Sequence, residues 1–201
     1  MKSQVEICIL AGGLASRMGR DKARLRLGGK TLLARIRETA KSANFTTRII
    51  RRDLVPRCGP LGGIYTALKT TSANVILFLA CDMPNISGAL LGKIIQRSKN
   101  GDESVFTWHK NMAGFPFLLN SDALPVIERL LAEKQFALQT LSERVRAKKF
   151  RPTRSFQSDL LNINTPDDWA RLREVFAKMP PEKVRHPLFR EFVQEKALKA
   201  K

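Results

Sequence analysis

Cysteine is scarce in this 201-residue chain and histidine scarcer: Cys8, Cys58 and Cys81 have only His109 and His186 to join them as metal ligands. Three widely spaced cysteines without a C-x-x-C pair exclude a disulfide framework and a zinc site of ordinary spacing, leaving the reduced, partly buried thiols of a cytosolic protein. Long apolar runs are missing too. No stretch reaches the length of a membrane span, and the short run from Val5 breaks at Gly12 and Gly13, too early for a secretory signal core. The expected location is the cytoplasm, without membrane contact. Acidic residues are in short supply: 18 Asp and Glu against 36 Lys and Arg give a formal charge of +18. That balance favours anionic partners, either nucleic acid or multiply charged phosphate compounds. With one Tyr and two Trp, however, the chain has no aromatic run on which bases would stack. Its basic residues are dispersed rather than gathered in a nucleic-acid-binding motif, so nucleic acid is the less favoured partner.

A chain of this length suits one α/β domain that buries roughly 70% of its extended surface. Val5–Leu10 reads as a short buried strand running into Ala11, Gly12 and Gly13, a turn through which backbone can approach a ligand. Residues 22–27 alternate basic and apolar side chains and close at Gly28-Gly29, as a small extended piece before a turn. A helix is expected over 31–42. Ile49 and Ile50 form a minimal strand core, and Asp53, Pro56, Gly59 and Pro60 mark a loop into a helix over 61–69. Val75–Ala80 is continuously apolar between Asn74 and Asp82-Met83-Pro84, the pattern of a central parallel strand covered on both faces. Helices are predicted over 88–98, 122–133 and 137–146, and strands over 104–108, 115–119 and 160–163. A last domain helix starts at Pro166, capped by Thr165, with Asp167 and Asp168 complementing its dipole. The alternation implies a doubly wound α/β sheet, mostly parallel, with helices on both faces. This domain spans 1–178, and a basic tail, 179–201, follows with a helix from Leu188.

Four motifs carry chemistry. Leu10-Ala11-Gly12-Gly13 leads through Arg17-Met18-Gly19 to Asp21-Lys22. Glycines after a strand expose N–H groups to phosphate oxygens, whose charge Arg17 and Lys22 can neutralise. The spacing is neither that of the P-loop nor that of the dinucleotide fingerprint, and Gly-Gly by itself is also an ordinary turn. Asp82 stands just past a central strand, where open α/β sheets bind ligands, and its hard oxygens suit magnesium carrying substrate phosphates; a turn-forming Asp before proline is the plainer alternative. Asp53 precedes Cys58-Gly59-Pro60-Leu61-Gly62-Gly63 in a loop where a lone Asp is ordinarily a solvated turn residue. In Leu161-Asn162-Ile163-Asn164-Thr165-Pro166, alternate positions on an extended segment share a face, so Asn162 and Asn164 can point at one ligand or merely end a strand before a cap.

Together these strings resemble the molybdenum cofactor guanylyltransferase family over about residues 7–178. The resemblance implies a Rossmann-like nucleotidyltransferase in which Leu10, Ala11, Gly12, Gly13 and Asp53 contact the nucleotide. Lys22 and Arg17 would then serve the phosphates, Asp82 would bind Mg²⁺, and Asn162 and Asn164 would bind the molybdopterin acceptor. GTP and molybdopterin are the implied substrates, and molybdoenzymes or cofactor-biosynthesis proteins the implied protein partners. Family members place a complete strand, with a base-binding asparagine, before the equivalent of Asp53. Here only residues 43–50 fill the interval and no asparagine matches, so the expected sheet is one strand short. A cytidylyltransferase on the same fold and a noncatalytic nucleotide-binding relative are the alternatives.

Overall fold

The structure, a computed structural model, describes residues 5–12, 22–42, 45–98 and 103–178. β1 (Val5–Leu10) is followed, after a 3-10 turn at Lys22–Arg24, by a hairpin of β2 (Arg26–Leu27) and β3 (Lys30–Thr31). Then come α1 (Leu32–Ser42), β4 (Thr46–Ile50), α2 (Pro60–Lys69), β5 (Val75–Ala80) and α3 (Gly88–Arg97). The second half holds β6 (Val105–His109), β7 (Met112–Asn120), α4 (Leu124–Ala132), α5 (Leu138–Arg144), β8 (Lys148–Phe150) and α6 (Pro166–Ala177).

Six strands form one sheet in the order β4-β1-β5-β7-β6-β8. β4, β1 and β5 are parallel, β7 runs against both β5 and β6, and β8 is parallel to β6, so β7 alone is reversed. Along β1, Ile7 and Ile9 face one apolar cluster while Cys8 faces another; along β5, Leu77 and Leu79 oppose Ile76 and Phe78 in the same way. The first cluster is closed by Leu33 and Ile36 of α1 and Leu90, Leu91 and Ile94 of α3. Leu61 and Ile64 of α2, Ile127 and Leu130 of α4 and Leu141 of α5 close the second. Each fully buried side chain of this kind contributes roughly 1.5–3 kcal/mol, so the two-sided strands are the natural centre of the fold. The second face is further knit by Phe78, Phe117 and Phe106 in cross-strand register, with ring centroids 5.1 and 4.3 Å apart. The mostly parallel doubly wound sheet read from the sequence is borne out.

A third, smaller cluster fixes the site. Leu25, Leu27 and Leu32 pack with Ile163 and Leu172, so the β2–β3 hairpin is clamped to α6. Arg35 strengthens the clamp by donating to the Leu27 carbonyl at 2.6 Å while its guanidinium lies 5.0 Å from the centre of the Phe176 ring.

Three expectations need correction. The extended piece expected over 22–27 is a 3-10 turn at Lys22–Arg24 and extended only at Arg26–Leu27. Residues 160–163 form no strand: a 3-10 segment covers Arg154–Leu160, and the extended chain beyond it is tied to the sheet end by the Ile163 N–H donating to the Asp82 carbonyl at 2.9 Å. The alternation there reflects one fully buried side chain, Ile163, rather than a ladder. Conversely, Lys148–Phe150 pairs with β6 as a strand although its Lys-Lys-Phe sequence gives no strand signal. The opposite edge is β4, held by Arg48, which donates to Glu6 of β1 at 2.9 Å and to the Ala67 carbonyl of α2 at 2.9 Å. The tail from 179 and its expected helix from Leu188 lie outside the described residues. Among the described residues no helix is long and apolar enough to cross a membrane.

Candidate active site

The turns after β1, β4 and β5 meet at the carboxyl ends of the strands, the side on which open α/β sheets bind ligands. Backbone bonds stitch them: the Ala11 N–H donates to the Ile50 carbonyl at 2.8 Å, and the Cys81 N–H donates to the Leu10 carbonyl at 3.1 Å. The β1 turn is thus held from both sides, with Leu10 and Ala11 packed against the core clusters.

Lys22, at the start of the 3-10 turn, reaches across this end of the sheet. Its ammonium donates to Asp82 Oδ2 at 3.2 Å and to Asn164 Oδ1 at 3.0 Å. The pair is shielded but open to a ligand, since the Lys22 and Asp82 side chains retain 24% and 19% of their exposure. Asn164 is itself braced. The Asp168 carboxylate accepts from the N–H groups of Asn164 at 3.0 Å and Thr165 at 2.9 Å, while Thr165 Oγ1 accepts from the Asp168 N–H at 3.1 Å, completing a capping box. Burial opposes ionisation of Asp168, but the backbone bonds from Asn164 and Thr165, the Thr165 side-chain bond and the charge of Arg171 outweigh it and hold the carboxyl below its ordinary range.

On the other flank, Asp53 lies in a backbone cradle. A Cβ on Gly62 would stand 2.7 Å from the Val55 carbonyl oxygen and 2.9 Å from Asp53 Oδ2; one on Gly12 would stand 2.8 Å from the Arg51 carbonyl oxygen. Only glycine permits so close an approach of these three segments. Burial pushes the Asp53 carboxyl above its ordinary range.

The structure therefore brings together Lys22, Asp82 and Asn164, and sets Leu10, Ala11, Gly12 and Asp53 beside them around the β1 turn. Asn162 is exposed and is not drawn into this cluster. Gly13 and Arg17 lie outside the described residues. Sequence reasoning treated Asp168 only as a charge complementing the helix dipole; its bracing of Asn164 was readable from the Thr-x-x-Asp spacing at a helix start. Among the described residues there is no group of three His, Cys, Asp or Glu side chains able to hold a metal. A single hard carboxylate suits a cation whose other ligands are water and substrate phosphates, the habit of magnesium rather than of zinc.

A family model for the MobA-like NTP transferase domain matches residues 7–148. The chain belongs to the MobA-like NTP transferase family. The match contains Lys22, Asp53 and Asp82, whereas Asn164 and Asp168 lie beyond it. This transferase is 28% identical over 176 residues to the molybdenum cofactor guanylyltransferase of Xanthomonas euvesicatoria pv. vesicatoria (strain 85-10), covering 82% of this chain and 92% of that protein. With the probable molybdenum cofactor guanylyltransferase of Opitutus terrae it shares 31% identity over 191 residues, 84% of this chain and 95% of that one. Its fold matches the crystal structure of molybdopterin-guanine dinucleotide biosynthesis protein A from Archaeoglobus fulgidus with a TM-score of 0.74 at 23% identity, over 87% of this chain and all of that one. The resemblance read from the loop motifs is borne out at the level of the family.

Proposed function

We propose that this transferase moves GMP from GTP to molybdenum-bound molybdopterin, forming the guanine dinucleotide cofactor and releasing pyrophosphate. The observation that carries the reading is the convergence of Lys22 on both Asp82 and Asn164, which joins the phosphate end of a nucleotide site to the segment expected to hold the acceptor. The names of the relatives from Xanthomonas and Opitutus support the choice of substrates.

The acceptor's terminal phosphate attacks the α-phosphorus in line with the departing pyrophosphate, so no covalent protein intermediate is needed. That phosphate is already ionised near neutral pH, which removes the need for a general base. Catalysis is then positioning and charge. Asp82 holds Mg²⁺, which when bound neutralises charge on the triphosphate. Lys22 and Arg17 donate to phosphate oxygens, and the backbone from Leu10 to Gly13 lies along the nucleotide. Asp53 contacts the nucleoside side, while Asn164, beside Lys22, orients the acceptor and the exposed Asn162 meets it from outside the Lys22–Asp82 cluster. Residues 1–178 form the transferase domain and 179–201 a basic appendage that contacts acidic partner proteins.

Asp82→Ala tests the reading: magnesium-dependent pyrophosphate release from GTP and molybdopterin should disappear while the circular dichroism spectrum stays that of the parent. Near-normal turnover would refute the role given to Asp82. GTP and CTP compared side by side decide the base, and tight triphosphate binding without pyrophosphate release in the presence of acceptor would favour a noncatalytic relative.

A further inference from the structure

Lys22 donates to the same carboxylate that the proposed function assigns to magnesium, at 3.2 Å. An ammonium in that position and a divalent cation on Asp82 repel each other, and the repulsion grows as the inverse of their separation. Among the described residues no group of three His, Cys, Asp or Glu side chains gathers to hold a metal, so Asp82 does not belong to a ready-made carboxylate cage. With its charge already met by Lys22, it offers little to a free dication. The formal charge of +18 acts in the same direction, repelling free cations and attracting triphosphates.

Resting on the transferase reading, we propose that Lys22 is a resident counter-ion that guards Asp82 against free divalent metal until a triphosphate draws its ammonium away. Metal and nucleotide therefore bind as a unit. Asn164 is the second half of the device. Its amide oxygen lies 3.0 Å from the ammonium and its backbone is fixed by Asp168, so Lys22 has a defined resting place shared between two acceptors. The several anionic oxygens of a triphosphate outbid those two acceptors and recruit the lysine. The same movement frees the Asn164 amide for the acceptor, which makes nucleotide binding the step that prepares the acceptor side.

The proposal predicts effects of opposite sign from one substitution. In the full chain without nucleotide, binding of manganese(II), followed by electron paramagnetic resonance, should tighten about tenfold in Lys22→Met, while binding of GTP with metal weakens by a comparable or larger factor. Lys22→Gln should behave alike, which guards against one misfolded variant. Adding Asp82→Asn to Lys22→Met should remove the gained manganese binding. Lys69→Met, which removes a lysine ion-paired with Glu128 at the other end of α2, should leave manganese affinity unchanged. Manganese affinity that is unaltered or weaker in both Lys22 variants overturns the proposal. So does a gain that survives Asp82→Asn, or an equal gain in Lys69→Met. If the parent chain releases no pyrophosphate from GTP and molybdopterin, the transferase reading itself falls; if Asp82→Asn leaves release intact, the metal role of Asp82 falls. Loss of release there with no tightening in the Lys22 variants sinks only the counter-ion role.

Discussion

Asp53 and Asp82 flank the turn after β1 from opposite sides, yet their surroundings differ in kind. Asp82 is met by the Lys22 ammonium, whereas Asp53 is pressed against the backbone of Gly62 and Gly12 and feels chiefly the loss of water. One carboxylate is neutralised in place and the other is held desolvated. A desolvated anion costs folding free energy, and a fold keeps such a group where a ligand later supplies what water did. Under the counter-ion proposal the Lys22–Asp82 flank is an electrostatic switch, while the Asp53 flank is a preformed cradle whose shape depends on absent side chains.

Four substitutions would break or sharpen that contrast. The largest effect is expected from Lys22→Met, which should lower kcat for pyrophosphate release by about a hundredfold or more, because a donor to transferring phosphate oxygens is lost. Asp53→Asn should act differently, raising KM for the nucleotide about tenfold with little change in kcat. Its sign on stability is also distinct. A carboxyl whose folded pKa is raised stabilises the fold below its unfolded pKa, and that contribution is lost as pH rises through the folded value. At neutral pH the ionised Asp53 thus works against folding, so Asp53→Asn should show a Tm equal to or above the parent's in a thermal melt. Gly62→Ala should reproduce the KM effect and lower Tm as well, since its Cβ would press on the Val55 carbonyl.

Asp168→Asn carries the smallest effect, about 1 kcal/mol at pH 7 from the weakened cap. Asp168 has the opposite linkage to Asp53. Its carboxyl is held below the ordinary range, so its contribution is complete above the unfolded pKa, about 4, and is lost as pH falls through the folded value. The stability difference between parent and Asp168→Asn in urea melts should therefore shrink as pH is lowered from 6 toward 3. A difference constant over that range would remove the charge from the explanation.

What could be read in advance follows from where the determining forces lie. β5 was legible because strands buried on both faces must be apolar, and Val75–Ala80 is so at every position; β1 departs from that pattern only at Glu6, which is ion-paired with Arg48. Lys22 and Asp82 were legible as motif residues, and their meeting from 60 positions apart is the outcome those motifs implied. β8 was not legible, because Lys148–Phe150 owes its strand state to the open edge of β6 rather than to its own side chains. The strand expected over 160–163 failed for the converse reason: its fully buried residue, Ile163, packs in the cluster that joins the β2–β3 hairpin to α6, and one backbone bond to Asp82 replaces a ladder. Asp168 was legible as a cap from the Thr-x-x-Asp spacing, whereas the consequence of its brace for the site exists only once Asn164 has been placed beside Lys22.

The clamp between the β2–β3 hairpin and α6 has a consequence for how the molecule matures. Lys22 and Asn164 stand 142 positions apart, whereas the other partner of the lysine, Asp82, stands 60 away. A polypeptide still emerging from the ribosome can complete β1, α1 and β5 and yet lack the wall that orients the lysine. Assembly of this corner is thus a late event in biogenesis, and a break in the chain between β8 and Asn164 would spare all six strands while leaving the mouth unfinished.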